Sequence, residues 1–269
     1  GIGKTAVVHE VHKPITRQQG YFIQGKFDQL NHHIPLSGFV QALRDLIGQF
    51  LSESDSDIDQ WKANILAALG GSGQVLIEVI PELEKIIGPQ PAVPELSGTA
   101  AQNRFNLLFQ KFISVLTTYE HPLVIFLDDL QWADLASLEL MKLLIEEKTY
   151  LLLLGAYRDN EVSPVHPFML TVEELKKLGK TVNTITLTPL AFEDSNQLVA
   201  DTLACTVELA YRITELINRK TKGNPFFITQ FLKALYEDKC IKFNLQKRYW
   251  ECDMARVNSL SITDDVVEF

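Results

Sequence analysis

The first residues able to do chemistry are Gly1-Ile2-Gly3-Lys4-Thr5. They match the end of a phosphate-binding loop, G-x-x-x-x-G-K-[ST], with Gly3 on the second glycine, Lys4 on the lysine and Thr5 on the hydroxyl. Glycines let backbone N–H groups curl around phosphate oxygens, and a helix starting here aims its positive end at the same anion. Lys4 would reach the β- and γ-phosphates, and Thr5 would ligate Mg²⁺. Gly1, Ile2 and Ala6 complete the candidate nucleotide-binding set. The same residues also read as a Gly-rich turn capping a helix. The motif's first three residues fall before Gly1, so the chain is expected to be part of a longer one. A loop start and an apolar strand of about five or six residues are expected upstream.

The partner of such a loop is a hydrophobic strand ending in a carboxylate. Residues 123–127, LVIFL, run into Asp128 and Asp129. Asp128 would hold Mg²⁺, and Asp129 would orient or deprotonate an attacking water. Two adjacent carboxylates after five apolar residues are costly unless a cation or hydrogen bonds await them. The plainer alternatives are a solvated loop start, or Asp129 capping the next helix. Arg158 follows the apolar run LLLLGAY. Past a parallel strand it would lie at the ligand edge, where a guanidinium can sense a γ-phosphate; a surface ion pair with Asp159 or Glu161 is the alternative. The catalytic candidates are therefore Asp129 and Arg158, and the metal candidates Thr5 and Asp128.

Gly223-Asn224-Pro225 has a structural reading, with Gly223 ending one helix, Asn224 capping the next and Pro225 in its first turn. The same rigid turn would place Pro225 against adenine. His9 and His12, three apart on a helix, and the adjacent His32 and His33 come with no carboxylate or cysteine cluster and read as packing or surface residues. Trp132 reads as packing. Lys26 and Asp28 lie at the end of the first visible strand, with no role assigned.

The elements that must position these groups follow from the composition. The chain has 269 residues, 46% of them apolar, enough for a sizeable core in one large or two smaller domains. A net charge of −9 argues against a broad nucleic-acid surface. The three cysteines, Cys205, Cys240 and Cys252, form no metal-ligand spacing, suggest a reducing compartment and read as buried or idle thiols. No run reaches the ~18 apolar residues of a membrane span, and no signal peptide is visible.

A short helix over residues 6–11 is expected to close at Pro14, followed by a strand over 20–27. Helical spacing recurs at 35–51, 60–69, 75–87 and 101–118, with loops at 52–59 and 88–98. Buried strands are expected at 123–127, from 150 and at 183–190, the last with alternating β-branched residues. Helices follow at about 194–203, 206–222 and 225–238, then a hairpin over 239–253 and another helix start at 261–269. Strands alternating with helices imply an α/β fold with a parallel, doubly wound sheet and ligands at the strands' C-terminal ends. The expected domains are a P-loop α/β domain at 1–190 with a helical insertion at 41–118, a helical lid at 191–239, and a hairpin opening a further region at 240–269.

GIGKT, LVIFLDDLQWAD, GAYRDNEV and TKGNPFFI, in this order, resemble the STAND-type signal-transduction ATPases of the AAA+ superclass. The likeness is greatest to the ATPase module of very large cyanobacterial signalling proteins, between a Ser/Thr kinase domain and sensor and histidine-kinase regions. The resemblance implies a P-loop NTPase whose ATP binding closes the α/β domain on its lid and whose hydrolysis resets it. It maps the family's lysine and hydroxyl onto Lys4 and Thr5, its acidic pair onto Asp128 and Asp129, its strand-end arginine onto Arg158, and its adenine-side turn onto Gly223 and Pro225. Expected ligands are ATP or ADP with Mg²⁺. Expected partners are the other domains of the same polypeptide, in the cytoplasm, with a nucleotide-dependent oligomer as an option. The alternative is a scaffold that holds nucleotide without useful turnover, catalysis residing in the flanking kinase domains. The winged-helix region that the family carries next is expected after Phe269.

Overall fold

The computed structural model describes residues 2–31, 34–146 and 150–259. The chain divides into two compact units, Val8–Asn183 in one, Gly1–Val7 with Thr184–Phe269 in the other. Helix α1 covers Lys4–Arg17 and carries Pro14 inside it. The expected stop at Pro14 is therefore overturned: a proline deletes one N–H donor, and its fixed φ is itself helical.

The first unit is organised by three parallel strands, β1 (Tyr21–Lys26), β2 (Leu123–Asp128) and β3 (Leu151–Gly155), in the order β1-β2-β3. β2 is central, and Leu123, Val124, Ile125, Phe126 and Leu127 are all buried. That continuous apolar run is what a strand covered on both faces requires. The register sets Lys26 opposite Asp128, and Leu127 opposite Gly155.

Between β1 and β2 lie α2 (Ser37–Phe50), α3 (Asp55–Leu69), α4 (Gln74–Ile77), α5 (Glu84–Ile87) and α6 (Gly98–Leu116). α2 buries Phe39, Leu43, Leu46, Ile47 and Phe50. With Phe109 and Phe112 of α6 they form much of the core, each worth about 1.5–3 kcal/mol of apolar burial. α2 starts hard against β1: a Cβ on Gly25 would lie 1.8 Å from the Gly38 carbonyl oxygen. β2 and β3 are joined by α7 (Leu135–Glu146), and α8 (Pro167–Lys177), which the sequence reading passed over, follows β3.

Two further expectations change here. Residues 52–59 are not a loop throughout, because Ser54 accepts a hydrogen bond from Asp57 N and starts α3. Residues 75–87 are not one helix, because Pro81 separates α4 from α5.

The second unit contains α9 (Phe192–Leu203), α10 (Val207–Thr221), α11 (Pro225–Glu237), the antiparallel hairpin of β4 (Ile241–Asn244) and β5 (Tyr249–Cys252), and α12 (Met254–Ser259). Val199, Ile213, Ile217, Ile228 and Leu235 are among its buried residues. The strand expected at 183–190 is absent. Its alternation is real, but no ladder partner lies beside it among the described residues, and Ile185 is 78% exposed. The expected helix at 261–269 lies outside the described residues, as do His32 and His33. No helix among the described residues is long and apolar enough to cross a membrane.

Candidate functional site

In the first unit the strand ends gather charge. Parallel pairing puts the C-terminal ends of β1, β2 and β3 on one edge. Asp128 ends β2, and its Oδ1 accepts the Asp129 N–H at 2.8 Å. Asp129 then turns sharply, with φ 54° and ψ 45°, a left-handed conformation that Asp tolerates better than most residues.

That turn buries the Asp129 carboxylate among donors from three strand ends. Lys26 Nζ lies 3.2 Å from Oδ2, Arg158 Nε 3.7 Å from Oδ1, and Gln131 Nε2 donates to Oδ1 at 3.1 Å. Gln131 also ties the edge together, since its Oε1 accepts the Arg158 backbone N–H at 3.2 Å. Burial alone would raise the Asp129 carboxyl. The hydrogen bonds of Gln131 and Lys26, and the charges of Lys26 and Arg158, outweigh burial and hold it below the usual carboxylate range.

Arg158 divides its guanidinium between Asp129 and Glu161, which accepts from Nη1 at 2.7 Å. One guanidinium thus lies within ion-pair distance of both carboxylates. The cap of α7 belongs to Asp134, which accepts from Ser137 N at 2.9 Å, and not to Asp129. Leu130 packs over Gly155 behind this edge: a Cβ there would meet Leu130 Cδ1 at 2.5 Å, so a larger residue would have to turn that side chain aside.

The other candidates lie in the second unit. Gly3 (φ 97°) is the neighbour of Pro225, since a Cβ on Gly3 would lie 3.8 Å from Pro225 Cγ. Gly3 and Pro225, the residues expected at the phosphate loop and beside adenine, thus lie side by side, although 222 positions separate them in sequence. Lys4 and Thr5 open α1, with Ala6 after them; Ile2 precedes Gly3, and Gly1 lies outside the described residues.

The turn itself takes two left-handed residues, Lys222 (φ 51°) and Gly223 (φ 76°), where the sequence suggested Gly223 alone. Asn224 Oδ1 accepts Phe226 N at 3.0 Å, and Pro225 occupies the first turn of α11. Gly223 is sterically required: a Cβ there would lie 2.3 Å from the Leu190 carbonyl oxygen, and its own carbonyl accepts Leu190 N at 2.8 Å.

Lys26 and Gln131 are the residues that sequence reasoning left unassigned or missed. A cation closing an apolar strand was a signal, but the pairing with Asp129 depends on a register that spacing does not reveal. Gln131 stood inside the quoted motif LVIFLDDLQWAD. His12 packs edge-on against Phe22 at 5.2 Å, and Trp132 packs against the core.

A family model of the AAA ATPase domain matches residues 1–154. A hybrid signal transduction histidine kinase G of Dictyostelium discoideum is 28% identical over 334 aligned residues, covering all of this chain and 10% of that protein. The peroxide stress-activated histidine kinases mak3 and mak2 of Schizosaccharomyces pombe are 19% and 21% identical, covering 97% and 96% of this chain and 12% of each relative. The chain thus spans about a tenth of the curated relatives it matches. No solved structure matches. With more than half its length matched by that model, and with an acidic strand end on a parallel sheet, the chain belongs to the AAA ATPase domain family.

Proposed function

We propose that this chain is an ATP–Mg²⁺-binding, ATP-hydrolysing switch of the STAND type, working as a cytoplasmic module of a multidomain signalling protein. The observation that carries the reading is the buried Asp129 carboxylate held between Lys26 and Arg158 at the C-terminal edge of a parallel sheet. Ligands of open α/β sheets bind at that edge. The doubly wound sheet, the lid at 191–239 and the likeness to cyanobacterial kinase–histidine kinase proteins belong to the same proposal. Relatives named as histidine kinases support a signalling context, with the other domains of the polypeptide as partners.

The donor chemistry fits Mg²⁺. A carboxylate at Asp128 and a hydroxyl at Thr5 are hard oxygen donors. The described residues hold no cluster of three His, Cys, Asp or Glu for a metal. Mg²⁺ with nucleotide needs none, because phosphate and water fill most of its positions. When bound, the ion neutralises charge on the β- and γ-phosphates. Lys4 would bring a further cation to those oxygens, and Gly3 would leave the backbone accessible to them. Pro225 offers a rigid apolar face to adenine.

Asp129 as it stands is ionised, but with two cations beside it, it is a weak base. A γ-phosphate that draws Arg158 away would raise the carboxyl's proton affinity and ready it to take a proton from water. The same resting geometry also favours a second reading, a nucleotide-holding scaffold with negligible turnover, and a turnover measurement separates the two.

The direct test of binding is calorimetry with MgATP and MgADP. Lys4→Ala is expected to lose a charge-assisted phosphate contact of about 1.5–3 kcal/mol, roughly ten- to a hundredfold in affinity. Arg158→Ala should weaken ATP more than ADP, because only ATP has the γ-phosphate. Equal affinity of wild type and Lys4→Ala would remove the nucleotide assignment, and an equal loss for both nucleotides would reduce Arg158 to the ion pair with Glu161.

A further inference from the structure

The second unit holds a cavity of about 600 Å³ that the proposed switch chemistry does not use. It lies among the first turns of α10, the β4–β5 hairpin and the start of α12. Its size falls in the range of small organic ligand sites. Leu209, Ile213, Met254, Phe243 and Trp250 supply an apolar and aromatic lining. Cys205, Cys240 and Cys252, the chain's three cysteines, all line it as well.

The charges in the cavity are unequally occupied. Its carboxylates are engaged: Glu251 accepts from Asn244, Lys247 and Tyr249, and Asp253 accepts the Arg256 backbone N–H. Its cations, Arg212 and Lys242, have no hydrogen bond or ion pair among the described residues. The hairpin is also locally basic in an acidic chain: residues 239–252 carry four Lys or Arg and one Glu, against a net charge of −9 overall. An anion is therefore the complement this cavity lacks.

The thiols do not supply a competing chemistry. Burial pushes the Cys205 thiol up, and burial with the neighbouring Cys240 pushes Cys252 to about 11. Both stay protonated at neutral pH and act as polarisable walls rather than nucleophiles. They form no metal cluster among the described residues.

We propose that this cavity binds an aromatic organic anion, its flat body on the apolar and aromatic lining and its acidic group on the lining cations Arg212 and Lys242. Aromatic rings and neutral sulfur reward a flat apolar body, while two cations without a hydrogen bond or ion pair among the described residues favour one anionic end. A neutral analogue forfeits the second term and a cationic one is repelled.

The experiment titrates the 269-residue chain with 1-anilinonaphthalene-8-sulfonate by fluorescence, with MgATP present throughout. The expected result is saturation at one site per chain. Arg212→Glu and Lys242→Glu should each weaken binding about tenfold, whereas Lys233→Glu on α11 should leave it unchanged. Leu209→Trp, at an exposed position of the lining, should fill the cavity and displace the probe. Because Arg212 and Lys242 are exposed, their reversals leave the core intact, and an unchanged thermal melt checks this. Non-saturating or multi-site binding overturns the proposal. So does an affinity indifferent to both reversals, or equal affinity for uncharged 1-anilinonaphthalene.

Discussion

The strand-end cluster of the first unit and the Lys222–Pro225 turn of the second hold their candidate residues in different ways. At the cluster, Asp129 is fixed by the charges of Lys26, about a hundred positions away in sequence, and of Arg158, and by a hydrogen bond from nearby Gln131. At the turn, four consecutive residues are fixed by backbone conformation, with Lys222 and Gly223 left-handed and Asn224 capping α11. A charge-held site can be reset when another ion arrives. A backbone-held site presents the same face whatever arrives.

The contrast can be broken first at its steric supports. Gly25→Ala puts a methyl where the Gly38 carbonyl already stands. Forcing α2 off β1 is expected to cost about 3 kcal/mol, at the upper end for overpacking, and to loosen Lys26 from Asp129. Calorimetric melts should show the loss in the first unit; an unchanged melt would mean that β1 and α2 yield easily. Gly223→Ala is the matching test of the turn. Its left-handed φ and the Leu190 carbonyl at 2.3 Å together should cost about 2 kcal/mol. A loss below about 0.5 kcal/mol would show that this backbone adjusts after all.

The charge-held side is tested by pH, with a smaller effect. The Asp129 carboxyl is depressed in the folded state. Its stabilisation is therefore fully present above the unfolded value of about 3.9 and is lost as pH falls through the lower folded value. Lys26→Met removes one of the depressing partners. Lys26 is largely exposed, so water screens the pair, and the variant should lose only about 0.5–1 kcal/mol at pH 7. At pH values below the folded pKa the difference from wild type should shrink towards zero. Urea midpoints at the two pH extremes check this, and an equal difference at both would assign the effect to the packing of the lysine's methylenes.

The same contrast explains what could be read in advance. The Asn224–Pro225 cap was legible because every participant is local and each residue type has one dominant use there. The apolar run ending at Asp128 was legible because a buried strand leaves few other ways to place two carboxylates. Lys26 was not assignable, because its partner is chosen by the β1–β2 register and lies far away in sequence. Residues 183–190 misled for a related reason: alternation describes a strand's faces, but a ladder needs a neighbour. Ser54 was passed over because a run of Ser and Asp looked like a loop, although its hydroxyl and Asp57 N–H are a local cap.

The account rests on Asp129 acting as the base once nucleotide is bound, and single-turnover hydrolysis of labelled MgATP tests it most directly. Asp129→Asn is the right variant, because Asn also tolerates the left-handed φ of 54° and keeps an acceptor for Gln131. Binding should survive while the hydrolysis rate falls by about 10²–10⁴-fold. A rate equal to that of wild type, with ATP affinity intact, would contradict the account and leave Asp129 as a structural partner of Lys26 and Arg158.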